Sequence, residues 1–310
     1  MKTIVMPGGV SAIFEPHISA TPYISGARGA GVCIHDAVEL TITISPSESL
    51  EITNIINDRR VTGGVGESAV VAFFETIGIE PQYSVEIRQK VRVPIGCGFG
   101  TSAASALGIV LLLAEEFHVP LTLVEAGDIA HIAEIRARSG LGTVSGIVFP
   151  GDIVIVSKPG PPSSCLVDRI IIDGDDIFVV LASKGRMETS RALSDPKLIE
   201  RASSLGKLAM DKLINRPTTE TFFRVARWFS ESMSLMTPTI SKVIDILDKN
   251  KKCIGAAQAM IGDSIFVLAY KEDVDDVCAT IREHMDVPCQ VRRLIRAGIR
   301  IPTRRVSEAG

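Results

Sequence analysis

The sequence predicts an α+β protein built from two lobes. Short β-rich runs and helical runs are mixed in both halves of the 310 residues, and 46% of the residues are hydrophobic against 22% charged, which is the composition of a globular protein. Domains commonly have about 100 to 200 residues, so the length predicts two of them. We place the division between residues 1–165 and 166–310.

The charge balance argues against nucleic acid as a partner. Lys and Arg number 33 and Asp and Glu number 36, which gives a net charge of -3 and no global positive field to hold a polyanion. The six cysteines form no CxxC pair, a pattern that favours a reducing cytoplasm over a disulfide framework or a zinc site. No window approaches the roughly 18 apolar residues that span a bilayer. We therefore expect a cytoplasmic protein without a signal peptide or membrane anchor.

The first half begins with predicted strands. Residues 32–34, 40–44 and 50–53 are short β-rich runs bounded by Gly, Ser and Pro, which predicts neighbouring strands of one sheet. Residues 85–93 place aliphatic side chains at 85, 87, 91 and 93 on one face and charged side chains at 86, 88, 90 and 92 on the other. This period of two predicts a half-buried strand.

Two helices follow these strands. Residues 103–117 are an unbroken run of mainly small and aliphatic side chains, too long for a strand and too short for a membrane span, which predicts a buried helix. Residues 121–137 carry interspersed acidic and basic residues and predict a second helix. The mean hydropathy of +0.29 is high for a globular chain, and burial of the first helix explains part of it.

The second half returns to strands and then becomes helical. Strands are predicted at 152–157, 166–172 and 177–182, the last two joined as a hairpin by the turn signal at 173–176. The run from 188 to 250 is helical, and the prolines at 196, 217 and 238 fit first helical turns. The tail predicts strands at 253–260 and 264–270, a helix at 274–285 and a strand at 287–295.

The most informative segment joins the strand at 85–93 to the helix at 103–117. Its glycines at 96, 98 and 100 allow backbone N–H groups to approach an anion, at the positive end of the following helix. It is neither a Walker A loop, because no Lys follows the last glycine, nor a GxGxxG fingerprint. The hydroxyls of Thr101 and Ser102 lie where Mg²⁺ or a phosphate oxygen would bind. The segment predicts a phosphate site, and a tight strand-to-helix turn is the alternative.

The segment 94–103 resembles the phosphate-binding motif of the GHMP kinases. Residues 6–12 resemble the substrate-side motif of that family, and residues 255–262 stand in the place of its C-terminal glycine-rich motif. The resemblance covers almost the whole chain and narrows to the archaeal pantoate kinases. Its characteristic blocks are 25–31, 98–102, 130–134, 139–142 and 259–262.

The resemblance implies a fold and a set of cofactors. The fold is the two-lobed GHMP kinase fold, with a ribosomal protein S5 domain 2-like N-terminal lobe and a ferredoxin-like C-terminal lobe, in a possible homodimer. The cofactors are ATP and Mg²⁺. The implied ATP-binding residues are Pro94, Gly96, Gly98, Phe99, Gly100, Thr101, Ser102 and Ala103. Ser102 and Glu134 would hold the metal and would be catalytic together with Thr143. A solvated helix face is the alternative for Glu134.

A carboxylate substrate needs a cation, and Arg28 is the best-placed candidate. It lies in a segment flanked by Gly26 and Gly29, where a guanidinium could reach a ligand. A surface salt bridge is the alternative. Further candidates on the substrate side are His17, Lys184, Arg186 and Thr189. The arginines at 292, 293, 296, 300, 304 and 305 are interpreted as a solvated or subunit-facing surface.

Two positions depart from the family pattern. Pantoate kinases have His and Asp where this sequence has Gly9 and Thr143, so the usual base is missing. Phosphoryl transfer through a loose transition state depends mainly on positioning and electrostatics, and a member without a carboxylate base could still work.

The resemblance implies an ATP-dependent phosphotransferase whose acceptor is the primary hydroxyl of a small branched hydroxy acid. Pantoate, an intermediate of coenzyme A biosynthesis, is the expected acceptor. A mevalonate-3-phosphate 5-kinase of isoprenoid biosynthesis is an alternative, because Arg136, Arg138, Lys184 and Arg186 could accept an added phosphate. A non-catalytic nucleotide-binding homologue is the second alternative.

Overall fold

The computed structural model describes residues 2–185, 195–260 and 262–297. Its first sheet has seven strands in the order β4-β3-β5-β2-β6-β7, with β1 paired to β2. The strands are β1 (Lys2–His17), β2 (Gly26–Pro46), β3 (Glu51–Ile56), β4 (Arg59–Val61), β5 (Tyr83–Val91), β6 (Ile153–Lys158) and β7 (Leu166–Ile170).

The long hairpin of β1 and β2 organises this sheet. The two strands pair in antiparallel register from Lys2 opposite Ile42 to His17 opposite Gly26. Strand β2 also pairs with β5 through residues 38–46 and with β6 through residues 29–32. Sequence patterning predicted only short pieces of β2, because the many glycines and small residues of both strands hide the alternation on which such a prediction depends.

Three helices accompany the first sheet; the second packs directly on its strands, and the third packs on the other two helices. These are α1 (Gly64–Ile77), α2 (Thr101–Glu116) and α3 (Leu123–Ala137), followed by the short α4 (Thr143–Val148). Most of α2 is buried, as its composition predicted. Helix α3 begins with a capping box between Thr122 and Glu125. Helix α1 was not among the predicted elements, since glycines interrupt its first turn.

The second sheet has the order β11-β8-β10-β9, and all its pairs are antiparallel. It is formed by β8 (Ile177–Gly185), β9 (Gly255–Gln258), β10 (Asp263–Tyr270) and β11 (Gln290–Arg293), with α8 (Val274–Met285) between the last two strands. This order and this helix are those of a ferredoxin-like lobe, so the predicted α+β class and the predicted C-terminal lobe are confirmed.

Both faces of the second sheet are buried. In β8, Val179 and Leu181 join the main hydrophobic core, whereas Val180 and Ala182 join a second core with α8 and α7 (Pro238–Asn250). On the main-core side the sheet meets α6 (Thr219–Ser232), whose Phe222 and Phe223 pack on Phe266 of β10. Because both faces of the sheet are buried, the sequences of these strands are continuous aliphatic runs.

The helices of the second half begin at capping residues. Asp195 caps α5 (Pro196–Asn215), Thr218 caps α6 and Thr237 caps α7 through side-chain hydrogen bonds to backbone N–H groups. Pro196 and Pro238 occupy first turns, as predicted. Pro217 does not, because it precedes the capping residue of α6.

The predicted hairpin across 173–176 is wrong. Strand β7 pairs with β6 in the first sheet, and β8 pairs with β10 and β11 in the second, so these four residues connect the two sheets. The proposed domain division at 165/166 therefore precedes the last strand of the first sheet.

Within the described residues, no helix combines the length and the apolar character that crossing a bilayer requires.

Candidate functional site

A cavity of about 700 Å³ opens between the glycine-rich loop, the β1–β2 hairpin and the end of α3. Its lining is mainly apolar, and its polar groups include side chains of β1 and β2 as well as groups from the loop and from the turn after α3. It is lined by residues from 9–14, 27–33, 61–64, 95–102 and 137–146, with Val154, Val156 and Met260. The cavity therefore collects segments that are far apart in the chain.

The glycine-rich loop requires glycine for two physical reasons. Gly96, Gly98 and Gly100 have φ angles of 74°, 77° and 66°, a backbone region that is costly for residues with a Cβ. In addition, a Cβ at position 98 would lie 2.6 Å from the carbonyl oxygen of Met260, and one at position 100 would lie 2.3 Å from that of Gly9. The loop is held between β1 and the 259–260 segment.

This loop presents unpaired backbone donors. Gly100 caps α2 without any side-chain hydrogen bond to the first turn. The amides of Gly98, Gly100, Thr101 and Ser102 donate to no protein acceptor within the described part of the chain. Converging amides at the positive end of a buried helix form a site for an anion such as phosphate.

A buried carboxylate lies beside these donors. The Ser102 hydroxyl donates to Glu134 Oε1 at 2.5 Å, and Ser139 Oγ lies 3.4 Å from the same oxygen. Glu134 is only 1% exposed, and a Cβ at position 140 would lie 2.6 Å from its Oε2, so Gly140 makes room for the carboxylate. Glu134 is thus not part of a solvated helix face.

Burial raises the pKa of Glu134 to about 7, although the Ser102 and Ser139 hydroxyls oppose the shift. A buried carboxylate of this kind gains from a nearby cation. Ser102 and Glu134 offer two hard oxygen ligands next to the anion site, which fits Mg²⁺ bound together with a phosphate. The described residues contain no group of three or more His, Cys, Asp or Glu placed to bind a metal.

Arg28 lies in the cavity wall and is held by two carboxylates. Its guanidinium donates to Glu15 Oε2 at 2.8 Å and to Asp211 Oδ1 of α5 at 3.1 Å, while its buried Nε has no hydrogen-bond partner. His17 contacts the same Glu15 at 2.9 Å but does not line the cavity. Glu15 and Asp211 were missed from the sequence because only the packing of α5 on β1 brings Asp211 to the site.

Some of the other predicted site residues line the cavity and some do not. Pro94 and Ala103 flank the loop without lining the cavity, and Lys184 is exposed at the end of β8, outside the cavity wall. Arg186 and Thr189 lie outside the described residues. Six of the eight predicted ATP-binding residues line the cavity together with Arg28 and Thr143.

The interpretation of the C-terminal arginines as solvated surface is wrong for Arg296. This side chain is 24% exposed, and its Nε lies 2.5 Å from Oδ1 of the fully buried Asp152. Arg293 pairs with Asp176 at 2.5 Å, and Arg292 donates to the carbonyl of Arg92. These three arginines connect residues 292–296 to Arg92, Asp176 and Asp152. The arginines at 300, 304 and 305 lie outside the described residues.

Gly9 and Thr143 are neighbours in the cavity wall. A Cβ at position 9 would lie 2.7 Å from Cγ2 of Thr143. The two positions that depart from the family pattern are therefore in contact: the methyl group of Thr143 occupies the space that a side chain at position 9 would need. Among the described residues that line the cavity, none is Asp, Glu or His.

Replacing Glu134 by Gln should change how stability depends on pH. The folded pKa of about 7 lies above the ordinary value of 4.5, so the folded protein keeps a proton that the unfolded chain releases. The free energy of unfolding of the wild type should therefore fall as the pH rises from about 4.5 to about 7. At pH 8, E134Q should be more stable than the wild type by up to about 3 kcal/mol, a difference that shrinks towards pH 5. Urea unfolding at both pH values measures this, and equal pH dependence in the two proteins would contradict it.

The contact between Gly9 and Thr143 predicts a compensating pair of substitutions. Gly9→Ala should destabilise the protein by about 1 to 3 kcal/mol, because the new methyl meets a stiff β-branched side chain. Thr143→Ser removes that methyl, so adding it should recover most of the loss. Denaturant unfolding of both single variants and the double variant tests this, and additive effects would show that the two residues do not interact.

Comparison with known proteins agrees with this geometry. A family model described as GHMP kinases N terminal domain matches residues 61–151. Pantoate kinase of Methanocaldococcus jannaschii is 26% identical over 277 residues, 89% of this chain and 96% of that protein. Pantoate kinase of Thermococcus kodakarensis is 28% identical over 294 residues, 93% and 94% of the two chains. A solved structure described as a phosphotransferase related to the CoA biosynthesis pathway superimposes with a TM-score of 0.80 at 26% identity, covering 95% of this chain and 96% of that one. Residues 61–151 therefore match the N-terminal domain of the GHMP kinases, and the chain is similar over most of its length to pantoate kinases.

Proposed function

We propose that this protein is a pantoate kinase, which transfers the γ-phosphate of ATP to the primary hydroxyl of pantoate. The observation that carries the proposal is the placement of unpaired loop amides, the Ser102–Glu134 pair and the Arg28 guanidinium around one cavity. The curated relatives named pantoate kinase cover nearly the whole chain, which supports the same acceptor. The reaction serves coenzyme A biosynthesis.

The order of the first sheet separates a donor side from an acceptor side. The glycine-rich loop follows β5, and the cavity residues 61–64 follow β4 on one side of it. Strands β2 and β6 and helix α4 lie on the other side. We assign the nucleoside of ATP to the 61–64 side, its phosphates to the loop amides, and the acceptor to the wall formed by β2, β6 and α4.

Ser102 and Glu134 would hold Mg²⁺ at the phosphates. When bound, the ion neutralises the negative charge that develops during phosphoryl transfer. Glu134 must lose its proton before it can bind a cation, so its raised pKa makes metal binding weaken as the pH falls below about 7. The Ser102 hydroxyl keeps the carboxylate turned towards the loop, which fixes one position for the ion.

The acceptor wall matches the shape and charge of pantoate. Pantoate is a compact acid with a carboxylate, two methyl groups on one carbon and a terminal primary hydroxyl. Leu141, Val154 and Val156 give an apolar surface for the methyl groups, and Arg28 gives a cation for the carboxylate. This arrangement would direct the primary hydroxyl away from Arg28 and towards the loop.

The transfer step in this site would depend on positioning. The described cavity wall contains no carboxylate or imidazole to take the proton of the acceptor hydroxyl. In a loose transition state the bond to the leaving oxygen is largely broken before the bond to the acceptor oxygen forms. The acceptor hydroxyl therefore needs little activation by a base. Thr143 in the wall would hold the acceptor hydroxyl by a hydrogen bond, and the loop amides would stabilise the phosphoryl oxygens. As the new O–P bond forms and the bond to ADP breaks, the hydroxyl proton would pass to an oxygen of the transferred phosphoryl group.

A second acceptor, mevalonate 3-phosphate, is favoured by one observation. Arg138 lines the cavity as a second guanidinium, and no acidic side chain of the described wall opposes an additional phosphate. The other described basic residues considered for such a phosphate, Arg136 and Lys184, do not line the cavity. Arg138 is therefore the residue that would recognise it.

A coupled assay of ADP release decides among these functions. The purified protein with ATP and Mg²⁺ should turn over pantoate, and activity with mevalonate 3-phosphate alone would select the second acceptor. S102A should lower kcat at least about tenfold through loss of a metal ligand. The matched control is S230A, which truncates a buried serine of α6. Tight ATP binding without turnover of either acid would identify a non-catalytic homologue.

Replacing Arg28 by Lys should weaken binding of the acceptor and leave binding of the nucleotide unchanged. Lysine keeps the charge but loses the fork that contacts Glu15, Asp211 and the acid, so KM for pantoate should rise about tenfold while KM for ATP is unchanged. R224K replaces an exposed arginine of α6 and should leave both constants unchanged. A parallel rise in both KM values for R28K would refute the assignment of Arg28 to the acceptor.

A further inference from the structure

The glycine-rich loop is anchored to the second sheet by a serine that does not line the cavity. Ser264 on β10 is fully buried, and its hydroxyl donates to the carbonyl oxygen of Cys97 at 2.7 Å. Cys97 stands between Gly96 and Gly98, at the centre of the loop. The bond therefore connects the second lobe to the peptide unit that joins Cys97 to Gly98.

This bond fixes which way that peptide unit points. In a trans peptide the C=O and the following N–H point in opposite directions. Because the Cys97 carbonyl points to Ser264, the Gly98 N–H points away from β10. Gly98 lines the cavity, and its amide has no protein acceptor within the described residues. The hydroxyl of Ser264 thus determines that Gly98 presents a donor, and not an acceptor, to an anion.

The loop depends on this anchor because its glycines permit other conformations. The Cys97–Gly98 peptide rotates about ψ of Cys97 and φ of Gly98, and glycine adopts φ angles of either sign, so this rotation costs little by itself. The other described hydrogen bonds of Cys97 involve its side chain and not its carbonyl oxygen: Sγ lies 3.1 Å from Ser183 Oγ and 3.6 Å from the carbonyl oxygen of Gly185.

We propose that Ser264 is a positioning residue for nucleotide phosphates, acting through the Cys97–Gly98 peptide. This inference rests on the proposed function, since it takes the phosphates of ATP as the anion. Ser264 contributes no contact to the ligand. It holds the carbonyl of Cys97 on the side of the second sheet and leaves the Gly98 N–H for the phosphates.

The test compares binding of ATP with binding of adenosine, which lacks phosphates. By isothermal titration calorimetry, S264A should bind ATP about tenfold more weakly than the wild type and adenosine equally well, because one charge-assisted hydrogen bond is lost. S230A removes another fully buried serine hydroxyl, bonded to the carbonyl of Arg227, and should change neither affinity. If S264A does not fold, S264C keeps the side-chain volume with a weaker donor and replaces it in the same comparison.

The outcomes separate this inference from the proposed function. Unchanged ATP affinity in S264A, or an equal loss for ATP and adenosine, overturns the role of Ser264 while leaving a wild-type kinase intact. A wild-type protein that binds ATP no more tightly than adenosine overturns the proposed function itself.

Discussion

The approach of the glycine-rich loop to the carbonyl oxygens of Met260 and Gly9 is the contact on which the rest of the site depends. Only a residue without a Cβ fits at positions 98 and 100, so the loop can lie between β1 and the second lobe. That placement directs the first turn of α2 into the cavity and buries the remainder of the helix in the core. A buried helix axis cannot reorient, and its N-terminal donors stay aimed at one point.

Electrostatics divides the cavity into two regions of different character. On the side proposed for the phosphates, a carboxylate with a raised pKa lies beside unpaired amides. On the side proposed for the acceptor, Arg28 donates to Glu15 and Asp211 and lies in a mainly apolar wall. The first region is formed by the glycine-rich loop, the first turn of α2 and the turn after α3, whereas the second is formed mainly by strands.

The elements that were predicted well share a local cause. Helices α2, α3 and α8 and strand β5 have side-chain periods that their own packing imposes, and their bounds agree with the sequence patterns within a few residues. The hairpin across 173–176 failed because a turn signal specifies that the chain bends and does not specify which strand pairs next. Arg296 was misjudged for a similar reason, since a charge run does not reveal a buried partner such as Asp152.

By itself, the sequence determined the α+β class, the glycine-rich loop between a strand and a buried helix, and the pairing of Ser102 with Glu134 by resemblance. These depend on residue type and short spacing, which the chain carries locally. Only the tertiary structure decided that Gly9 contacts Thr143, that Asp211 holds Arg28, and that Ser264 orients the loop peptide. Those contacts join residues more than 130 positions apart, and folding alone brings them within bonding distance.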